Sequence, residues 1–192
     1  MIVGITGGTG CGKTTALQAI ADLGGLVLDC DGIYHQLLQR DKCLLAAIAD
    51  RFPGTVENGV LQRKKLGNLV FSDENALNDL NSITHAAIKK EVQRQLVGHS
   101  GLAAIDAIAL FESGLDELCH VTVAICAPEN VRVARLMARD HISADYAQKR
   151  IAAQRSQEDF RRLCNYVLEN DGTKEVFYAK CLAFFRQTCI ME

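Results

Sequence analysis

The chain has 192 residues, of which 48% are hydrophobic and 23% are charged, and its formal net charge is −2. This length fits one domain, or one domain with a small appended lid, and the apolar fraction is enough to bury a sizeable core. The nearly neutral charge gives nucleic-acid binding no support, and the longest apolar stretch, residues 102–111, is far too short to cross a bilayer.

The start of the chain reads as a core strand and lacks the basic segment, apolar core and small-residue cleavage site of a secretory signal. We therefore expect a cytoplasmic protein without a membrane partner. No two cysteines have a C-x-x-C spacing, and none combines with histidines in a zinc pattern. Since most of them lie in apolar runs, we expect reduced thiols with a structural role. The cysteines are Cys11, Cys30, Cys43, Cys119, Cys126, Cys164, Cys181 and Cys189.

The first thirty residues predict a βαβ unit. Residues 1–6 form an apolar β-type run, and residues 13–23 show helical periodicity that ends at Gly24-Gly25. Residues 26–30 are a second apolar strand. A unit of this kind places its two strands in parallel, with a right-handed crossover between them.

The remaining chain continues the alternation of strands and helices. Residues 34–98 are mostly helical in pattern, with turns at Pro53-Gly54 and Asn58-Gly59. Further strands are predicted at 102–111, 121–126 and 166–168, and further helices at about 129–139, 143–155 and from Thr173 onwards. We predict one domain with a doubly wound, five-stranded parallel α/β sheet, a helical insertion and a helical lid. Its core covers about 1–33, 100–128 and 163–192, the insertion about 34–99, and the lid about 129–162.

The strongest motif is the segment from Gly7 to Thr14, which reads GGTGCGKT and fits G-x-x-x-x-G-K-[ST] at every fixed position. Its glycines let the backbone wrap a phosphate with the N–H groups pointing inward, and the helix that follows adds its positive N-terminal end. Lys13 can neutralise the β- and γ-phosphates, and the Thr14 hydroxyl can bind Mg²⁺. A strand before the loop and a helix after it complete the context of a nucleotide site.

Four carboxylates are candidates for the chemistry opposite this loop. Ligands of a parallel sheet lie at the C-terminal ends of its strands, so Asp29 and Asp31 should face the same crevice as the loop, on one face if the strand continues through them. Asp31 is the better candidate to activate an alcohol, and Asp29 is equally well explained as a helix cap. Glu112 is expected to end the third strand at the crevice, whereas Asp106 is expected in the middle of that strand.

Basic residues recur near the C-terminus. Arg132, Arg135 and Arg139 share one helical face, and Arg150 and Arg155 follow on the next helix. Most charge runs are solvated helix faces. In a chain that also contains a phosphate loop, we interpret these helices as a lid whose guanidinium groups bind phosphates.

Together these motifs resemble the dephospho-CoA kinase family, a group of P-loop kinases, over nearly the whole chain. The resembling segments are GITGGTGCGKTT at 4–15, ADLG at 21–24, DCD at 29–31, LQR at 61–63, LNSITH at 80–85, LFE at 110–112, RLMARD at 135–140, RIAAQ at 150–154 and YVL at 166–168 with NDG at 170–172. The chain departs from the family pattern where Ala86 and Ile108 replace prolines, where Cys164-Asn165 replaces an Ala-Asp pair and where Cys11 replaces a serine.

The resemblance implies phosphorylation of the ribose 3′-hydroxyl of dephospho-CoA by ATP with Mg²⁺, in a monomer or weak homo-oligomer. It implies that Asp31 is the catalytic base, with Lys13 and the lid residue Arg139 as further catalytic groups. Nucleotide binding would use Gly8, Thr9, Gly10, Cys11, Gly12, Lys13, Thr14, Thr15, Arg135 and Asn170, with Thr14 on the metal. Substrate binding in the helical insertion and the LFE segment would use Asp31, Arg63, His85, Leu110, Phe111 and Glu112.

Two other functions remain open from the residues. A kinase of the same architecture could act on another small substrate, such as a nucleoside monophosphate, and the Arg63-Lys64-Lys65 cluster fits it. A nucleotide-dependent switch protein is the second, but a GTPase would usually show an N-K-x-D motif, which this sequence lacks.

Overall fold

The computed structural model describes the backbone of residues 1–189 and the side chains of residues 1–188. Its strands are β1 (Ile2–Thr6), β2 (Leu26–Asp29), β3 (Val56–Glu57), β4 (Val60–Leu61), β5 (Ala103–Asp106), β6 (Val121–Cys126) and β7 (Tyr166–Glu169). Its helices are α1 (Lys13–Asp22), α2 (Cys30–Arg40), α3 (Lys42–Arg51), α4 (Arg63–Val70), α5 (Glu74–Leu96), α6 (Glu129–Asp140), α7 (Ala144–Ala152), α8 (Gln157–Leu163) and α9 (Lys174–Cys189).

The main sheet is parallel and has the strand order β2-β5-β1-β6-β7. Its central strand is β1, which pairs with β5 on one side, where Ile2 is opposite Ala103, and with β6 on the other, where Val3 is opposite Val121. In such a sheet, ligands usually bind beyond the C-terminal end of a central strand, where the connections that follow two neighbouring strands run to opposite sides.

Helices cover both faces of this sheet. Val123 and Ile125 of β6 belong to the core formed with α1 and α9, whereas Ala124 and Cys126 pack against Phe160 of α8. Because side chains of a strand alternate between the two faces, these two sets of contacts lie on opposite sides of the sheet. The predicted doubly wound, five-stranded parallel α/β sheet is therefore confirmed.

The chain forms two compact units. The first comprises residues 1–28, 100–110 and 115–192 and contains the sheet, and the second comprises residues 29–99 and 111–114. The predicted helical insertion at 34–99 lies within the second unit, and the predicted lid at 129–162 lies within the first.

The second unit is built from α2 to α5 with a two-stranded antiparallel hairpin of β3 and β4. Aspartates begin three of its helices: Asp29 caps α2, Asp41 caps α3 and Asp73 caps α5, each accepting hydrogen bonds from backbone N–H groups of the first turn. Apolar side chains such as Ile48 and Leu66 form its separate core.

Asp29 and Asp31 were expected to share a strand face if the strand continued through both, and it does not. β2 ends at Asp29, and α2 begins at the next residue. Because the Asp29 carboxylate accepts a hydrogen bond from the Asp31 N–H, it stops the strand and starts the helix. Asp29 has the capping role, and Asp31 lies exposed in the first turn of α2.

The third strand of the sheet is also shorter than predicted. It ends at Asp106, and residues 108–114 form turns. Asp106 therefore lies at the C-terminal end of β5 and not in the middle of a strand, and Glu112 does not end a strand. The apolar residues after Asp106 misled the prediction because they are buried without being in the sheet; Ala107 and Leu110 are examples.

Some features match the sequence and others were missed. The strand at 121–126 is confirmed at both ends, whereas the β3–β4 hairpin and α8 were not predicted. Among the described side chains seven cysteines are free, as expected; Cys189 lies outside the described side chains. No helix within residues 1–189 has the length and apolar character needed to span a membrane.

Candidate functional site

The loop from Gly7 to Gly12 joins the central strand β1 to α1. Gly7, Gly10 and Gly12 have φ values of 143°, 77° and 99°, which residues with a side chain rarely adopt. At Gly12 space is limiting as well, because a Cβ there would lie 2.1 Å from Nδ2 of Asn170. The glycines therefore allow both the path of the loop and the close approach of its neighbours.

Every carbonyl group of Gly7 to Gly12 accepts a hydrogen bond from the protein. The donors are Lys13 Nζ to Gly7 (3.0 Å), Cys11 N to Gly8 (3.3 Å), Arg132 Nε to Thr9 (2.8 Å), Arg135 Nη1 to Gly10 (3.3 Å), Asn170 Nδ2 to Cys11 (2.8 Å) and Thr15 N to Gly12 (3.0 Å). These bonds fix the orientation of the peptide groups before any ligand arrives.

The backbone N–H groups of the same segment are treated differently. Those of Gly10 and Gly12, and of Thr14 in the first turn of α1, take part in none of the hydrogen bonds found among residues 1–189, whereas the Lys13 N–H is hydrogen-bonded to the Cys11 thiol. The first N–H groups of a helix have no intrahelical partner, and together with the helix dipole they favour a bound anion. The loop is thus arranged to bind phosphate through its N–H groups.

Thr9 is held on both of its peptide groups. Its N–H donates to Oε1 of Gln154 at 2.7 Å, and its carbonyl accepts from Nε of Arg132 at 2.8 Å. The Thr9 N–H is therefore already used within the protein, which leaves only the side chain for the predicted contact with the nucleotide.

Arg135 and Asn170 form a second support on the other side of the loop. Arg135 donates from Nη2 to the Asn170 side-chain oxygen at 3.0 Å, and Asn170 is buried with its amide nitrogen on the Cys11 carbonyl. Both residues were predicted to bind nucleotide. In this structure their polar atoms hold the loop.

Cys11 belongs to the loop, and its side chain is buried in the core, with 1% of the residue's surface exposed. Burial raises the pKa of its thiol above the ordinary value, although the positive charges of Lys13 and Arg132 act in the opposite direction. The carboxylate of Asp106 adds to the increase, so its charge reaches the loop. Cys11 is therefore a protonated packing residue, and the Asp106 carboxylate is close enough to the loop to affect the pKa of this thiol.

Three charged residues form a cluster in the predicted lid. Arg139 donates to both carboxylate oxygens of Asp140, at 2.7 and 3.0 Å, and Arg150 donates to Asp140 at 2.5 Å. Hydrogen bonds from Arg139 first, and from Arg150 second, hold the pKa of Asp140 well below its ordinary value. The guanidinium of Arg139, a predicted catalytic group, is paired with a carboxylate here.

In the second unit, two predicted substrate residues come together. His85 of α5 is half-buried, and burial lowers its pKa below the ordinary value. A hydrogen bond to the backbone of Glu112 and the negative charge of that residue act in the opposite direction, which places His85 next to Glu112. Two residues that are 27 positions apart in the sequence thus lie together, and their binding of substrate stays a prediction.

Arg63 lies at the edge of a surface opening of the second unit, and His85 and Glu112 are not among the residues that line this opening. The opening has a volume of about 290 Å³ and is mainly apolar, with Tyr34 and Phe71 among its lining residues. Arg63 is close enough to Tyr34 to influence its pKa, which burial raises and the guanidinium charge lowers. Phe71 is 86% exposed, an unusual position for a large aromatic side chain.

The LFE segment is divided between buried and accessible side chains. Leu110 has no exposed surface, and Leu115 N donates to its carbonyl at 3.1 Å. A Cβ on Gly4 would lie 2.8 Å from its side chain, so Leu110 fills the core beside β1. Phe111 is partly exposed and Glu112 is exposed, so these two can contact a ligand directly, whereas Leu110 cannot without moving.

Sequence reasoning missed two residues of the site. Gln154 belongs to the predicted lid segment RIAAQ, but no site role was predicted for it, because no local pattern distinguishes a loop-binding glutamine from a surface one. Arg132 was placed on the lid face by its spacing from Arg135 and Arg139, but that spacing does not reveal that it is buried, with 3% of its surface exposed.

Comparison with known proteins gives one consistent family. The sequence model of the dephospho-CoA kinase family matches residues 1–175. A dephospho-CoA kinase of Latilactobacillus sakei is 31% identical, covering 97% of this chain and 95% of its own, and one of Pseudoalteromonas translucida is 36% identical, covering 88% and 82%.

Among solved structures, a crystal structure of a Thermus thermophilus protein is 31% identical and covers 98% of this chain and 97% of its own. Its TM-score is 0.81. The fold predicted from the sequence, a sheet of the P-loop kinase type, is confirmed.

Proposed function

The chain belongs to the dephospho-CoA kinase family, and we propose that it transfers the γ-phosphoryl group of ATP to the ribose 3′-hydroxyl of dephospho-CoA, giving coenzyme A and ADP. The observation that carries this proposal is the phosphate loop, whose carbonyl groups are all engaged by the protein while several of its N–H groups are left for a phosphate chain.

On the nucleotide side, the loop and the beginning of α1 bind the phosphates. Lys13, whose ammonium group rests 3.0 Å from the Gly7 carbonyl, exchanges that contact for the β- and γ-phosphates. Arg139 exchanges Asp140 for the transferring group, where negative charge develops in the transition state. Arginine suits this step because its fork can bridge two phosphate oxygens.

On the acceptor side, Asp31 accepts the proton of the 3′-hydroxyl while the hydroxyl oxygen bonds to the γ-phosphorus and the bond to the β-phosphate oxygen breaks. Asp31 is exposed at the first turn of α2, and its backbone is fixed by the cap formed by Asp29. Its carboxylate takes no part in that cap, so it can bind an alcohol. Positioning and electrostatics supply most of the rate, and no covalent intermediate is needed.

Magnesium is the metal that this reaction class uses with ATP, and the chain offers it hard oxygen ligands. The Thr14 hydroxyl is exposed in the first turn of α1, and the Asp106 carboxylate lies at the end of β5 with its charge acting on the loop. Thr14 is the proposed direct ligand, and Asp106 would act on the metal directly or through water. When bound, the ion would neutralise phosphate charge; Thr14 and Asp106 would fix its position.

For the acceptor, we assign Arg63, His85, Phe111 and Glu112 to substrate binding. Dephospho-CoA combines a pyrophosphate with a pantetheine arm that contains two methyl groups on one carbon. An apolar opening with Arg63 at its edge suits that combination, because the cation binds phosphate oxygens and the apolar walls cover the methyl groups. Leu110 supports the segment from within the core.

The proposal is tested by coupled measurement of ADP release with ATP and Mg²⁺, offering dephospho-CoA beside AMP, CMP, dTMP and adenosine. We expect turnover with dephospho-CoA alone, and a loss of about 100-fold or more in kcat for Asp31→Asn, since general-base catalysis contributes about 10²–10⁴-fold. Asp50→Asn, which removes an exposed carboxylate of α3 in the same unit, is the matched control. Turnover with a nucleoside monophosphate instead would refute the substrate assignment, and full activity of Asp31→Asn would refute the base.

A further inference from the structure

Arg132 is a buried arginine in contact with the phosphate loop. It lies in the first turn of α6, it is 3% exposed, and its Nε donates to the Thr9 carbonyl at 2.8 Å. Its Nη2 atom is buried and has no hydrogen-bond partner among the described residues. One arm of the guanidinium therefore holds the loop, while another donor remains unused.

The charge of Arg132 is not neutralised by an ion pair within the described part of the chain. Arginine keeps its proton in proteins even where burial disfavours the charge. The negative charge of Glu129, in the same turn of α6, acts on Arg132 without forming an ion pair. A buried cation without a close ion-pair partner is costly for a folded chain, and such groups are found mainly where a ligand or a mechanism uses them. The element next to Arg132 is the phosphate loop. A phosphate chain bound to that loop would supply negative charge close to the guanidinium.

Gly8 is matched to this arginine. Unlike Gly7, Gly10 and Gly12, it has no positive φ, so its backbone alone would accept a side chain. A Cβ at Gly8, however, would lie 2.3 Å from Arg132 Nη2 and 3.2 Å from Gln154 Oε1. The space that a side chain at position 8 would need is occupied by the guanidinium.

We infer that Arg132 is a positioning residue for nucleotide binding: it holds the Thr9 end of the loop, places a positive charge beside the phosphate chain, and is the reason why position 8 is a glycine. Arg132 acts through the loop, because its buried Nη2 packs against Gly8. This inference rests on the proposed function, since it concerns the loop that binds ATP.

The experiment compares wild type with Arg132→Gln, Gly8→Ala and the double variant, using calorimetric titration with ATP and ADP, the KM for dephospho-CoA, and the melting temperature without nucleotide. Arg162→Gln is the matched control, because it removes an arginine from an exposed position on α8 of the same unit.

For Arg132→Gln we expect the Kd for ATP and ADP to rise about 10- to 100-fold, the range for a lost charged hydrogen-bonding group. The KM for dephospho-CoA should stay within about twofold, because the lost contribution concerns the nucleotide alone. The melting temperature should not fall, because removing an uncompensated buried charge relieves the empty protein. Gly8→Ala should weaken ATP binding by a similar factor in wild type and by much less in the double variant, because the shorter glutamine leaves room for the methyl group.

Three results would overturn the inference. The first is ATP affinity within about twofold of wild type in Arg132→Gln, and the second is a lower melting temperature with equal losses for both substrates, which indicates a merely structural role. The third is an equal loss in Arg162→Gln, which indicates an effect of net charge. A wild type that binds no ATP would refute the proposed function itself, and the inference with it.

Discussion

Oδ1 of Asp29 accepts a hydrogen bond from the backbone N–H of Asp31 at 3.0 Å, so two acids that are nearly adjacent in sequence have different roles. Asp29 ends a strand and begins a helix, and Asp31 presents its carboxylate on the first turn of that helix. The relationship gives Asp29 a structural role, leaves the Asp31 carboxylate for the base role proposed above, and yields the first prediction.

Asp29→Ala should lower the free energy of unfolding by about 1 kcal/mol, because it removes the N-cap of α2. Asp29→Asn should be close to wild type, since asparagine caps equally well. Urea unfolding measures both. A stable Asp29→Ala protein together with an Asp29→Asn protein that is inactive would contradict the capping role and assign the chemistry to Asp29.

Asn170→Leu should weaken nucleotide binding. The substitution removes the acceptor of Arg135 Nη2 and the shorter of the two hydrogen bonds to the Cys11 carbonyl, which then keeps only the 3.4 Å contact from Arg135 Nη1. The volume is nearly constant, and a lost hydrogen bond of this kind costs about 1 kcal/mol. We expect the Kd for ADP to rise at least fivefold, as about 1 kcal/mol predicts. Asn130→Ala, at an exposed position near the start of α6, is the control, and an unchanged Kd in Asn170→Leu would contradict the support role.

His85 should make the protein less stable in mildly acidic solution. Because burial depresses its folded-state pKa below 6.5, the unfolded chain binds more protons between the two values, and stability rises with pH across that window. The stabilisation is complete above pH 6.5 and is lost as the pH falls through the folded pKa.

The measurement is the free energy of unfolding at pH 7.5 and 5.5 for wild type and His85→Gln. The difference between the two proteins removes the contribution of the carboxylates, and we expect the variant to lose less stability on acidification. A steeper loss in the variant would show that the folded pKa is raised, and that Glu112 outweighs burial.

Phe71→Ala should raise the KM for dephospho-CoA on the order of fivefold and leave the KM for ATP unchanged, because an aromatic side chain that is 86% exposed at an apolar opening gains contacts only when a ligand covers it. Steady-state kinetics with each substrate varied in turn measures this. Val97→Ala, which removes another exposed apolar side chain of the same unit, is the control. Equal changes in both KM values would contradict the assignment.

The sequence was sufficient to predict the sheet and its phosphate loop, because both are encoded locally. Glycine at positions 7, 10 and 12 reports a backbone path that other residues resist, and the buried strand at 121–126 is bounded by clear turn signals. The end of β5 was not predictable, since residues 107–110 are as apolar as the strand itself. Burial in a turn and burial in a sheet leave the same composition.

The way in which the loop is supported could not be predicted for a different reason, although Asn170 itself was predicted as a nucleotide-site residue. Gln154 and Asn170 contact the loop across 145 and 159 residues of sequence, and their importance comes from the backbone groups that they meet, an N–H group and a carbonyl group respectively. A contact of this kind leaves no periodicity or spacing. The departure at Asn165 is similar: its side-chain oxygen accepts from both the N–H and the hydroxyl of Thr122, a role visible only in three dimensions.

The engaged carbonyl groups of Gly7 to Gly12 also determine which ions the empty loop prefers. A ring of free carbonyl oxygens is how proteins replace the water shell of potassium, whereas a concave row of N–H groups attracts anions. Each carbonyl oxygen already accepts a hydrogen bond, so the loop offers few oxygens to a monovalent cation. If the six peptide groups were turned the other way, their oxygens would line the loop in place of the N–H groups. Potassium should therefore compete poorly for this loop, so phosphates enter without first having to displace it.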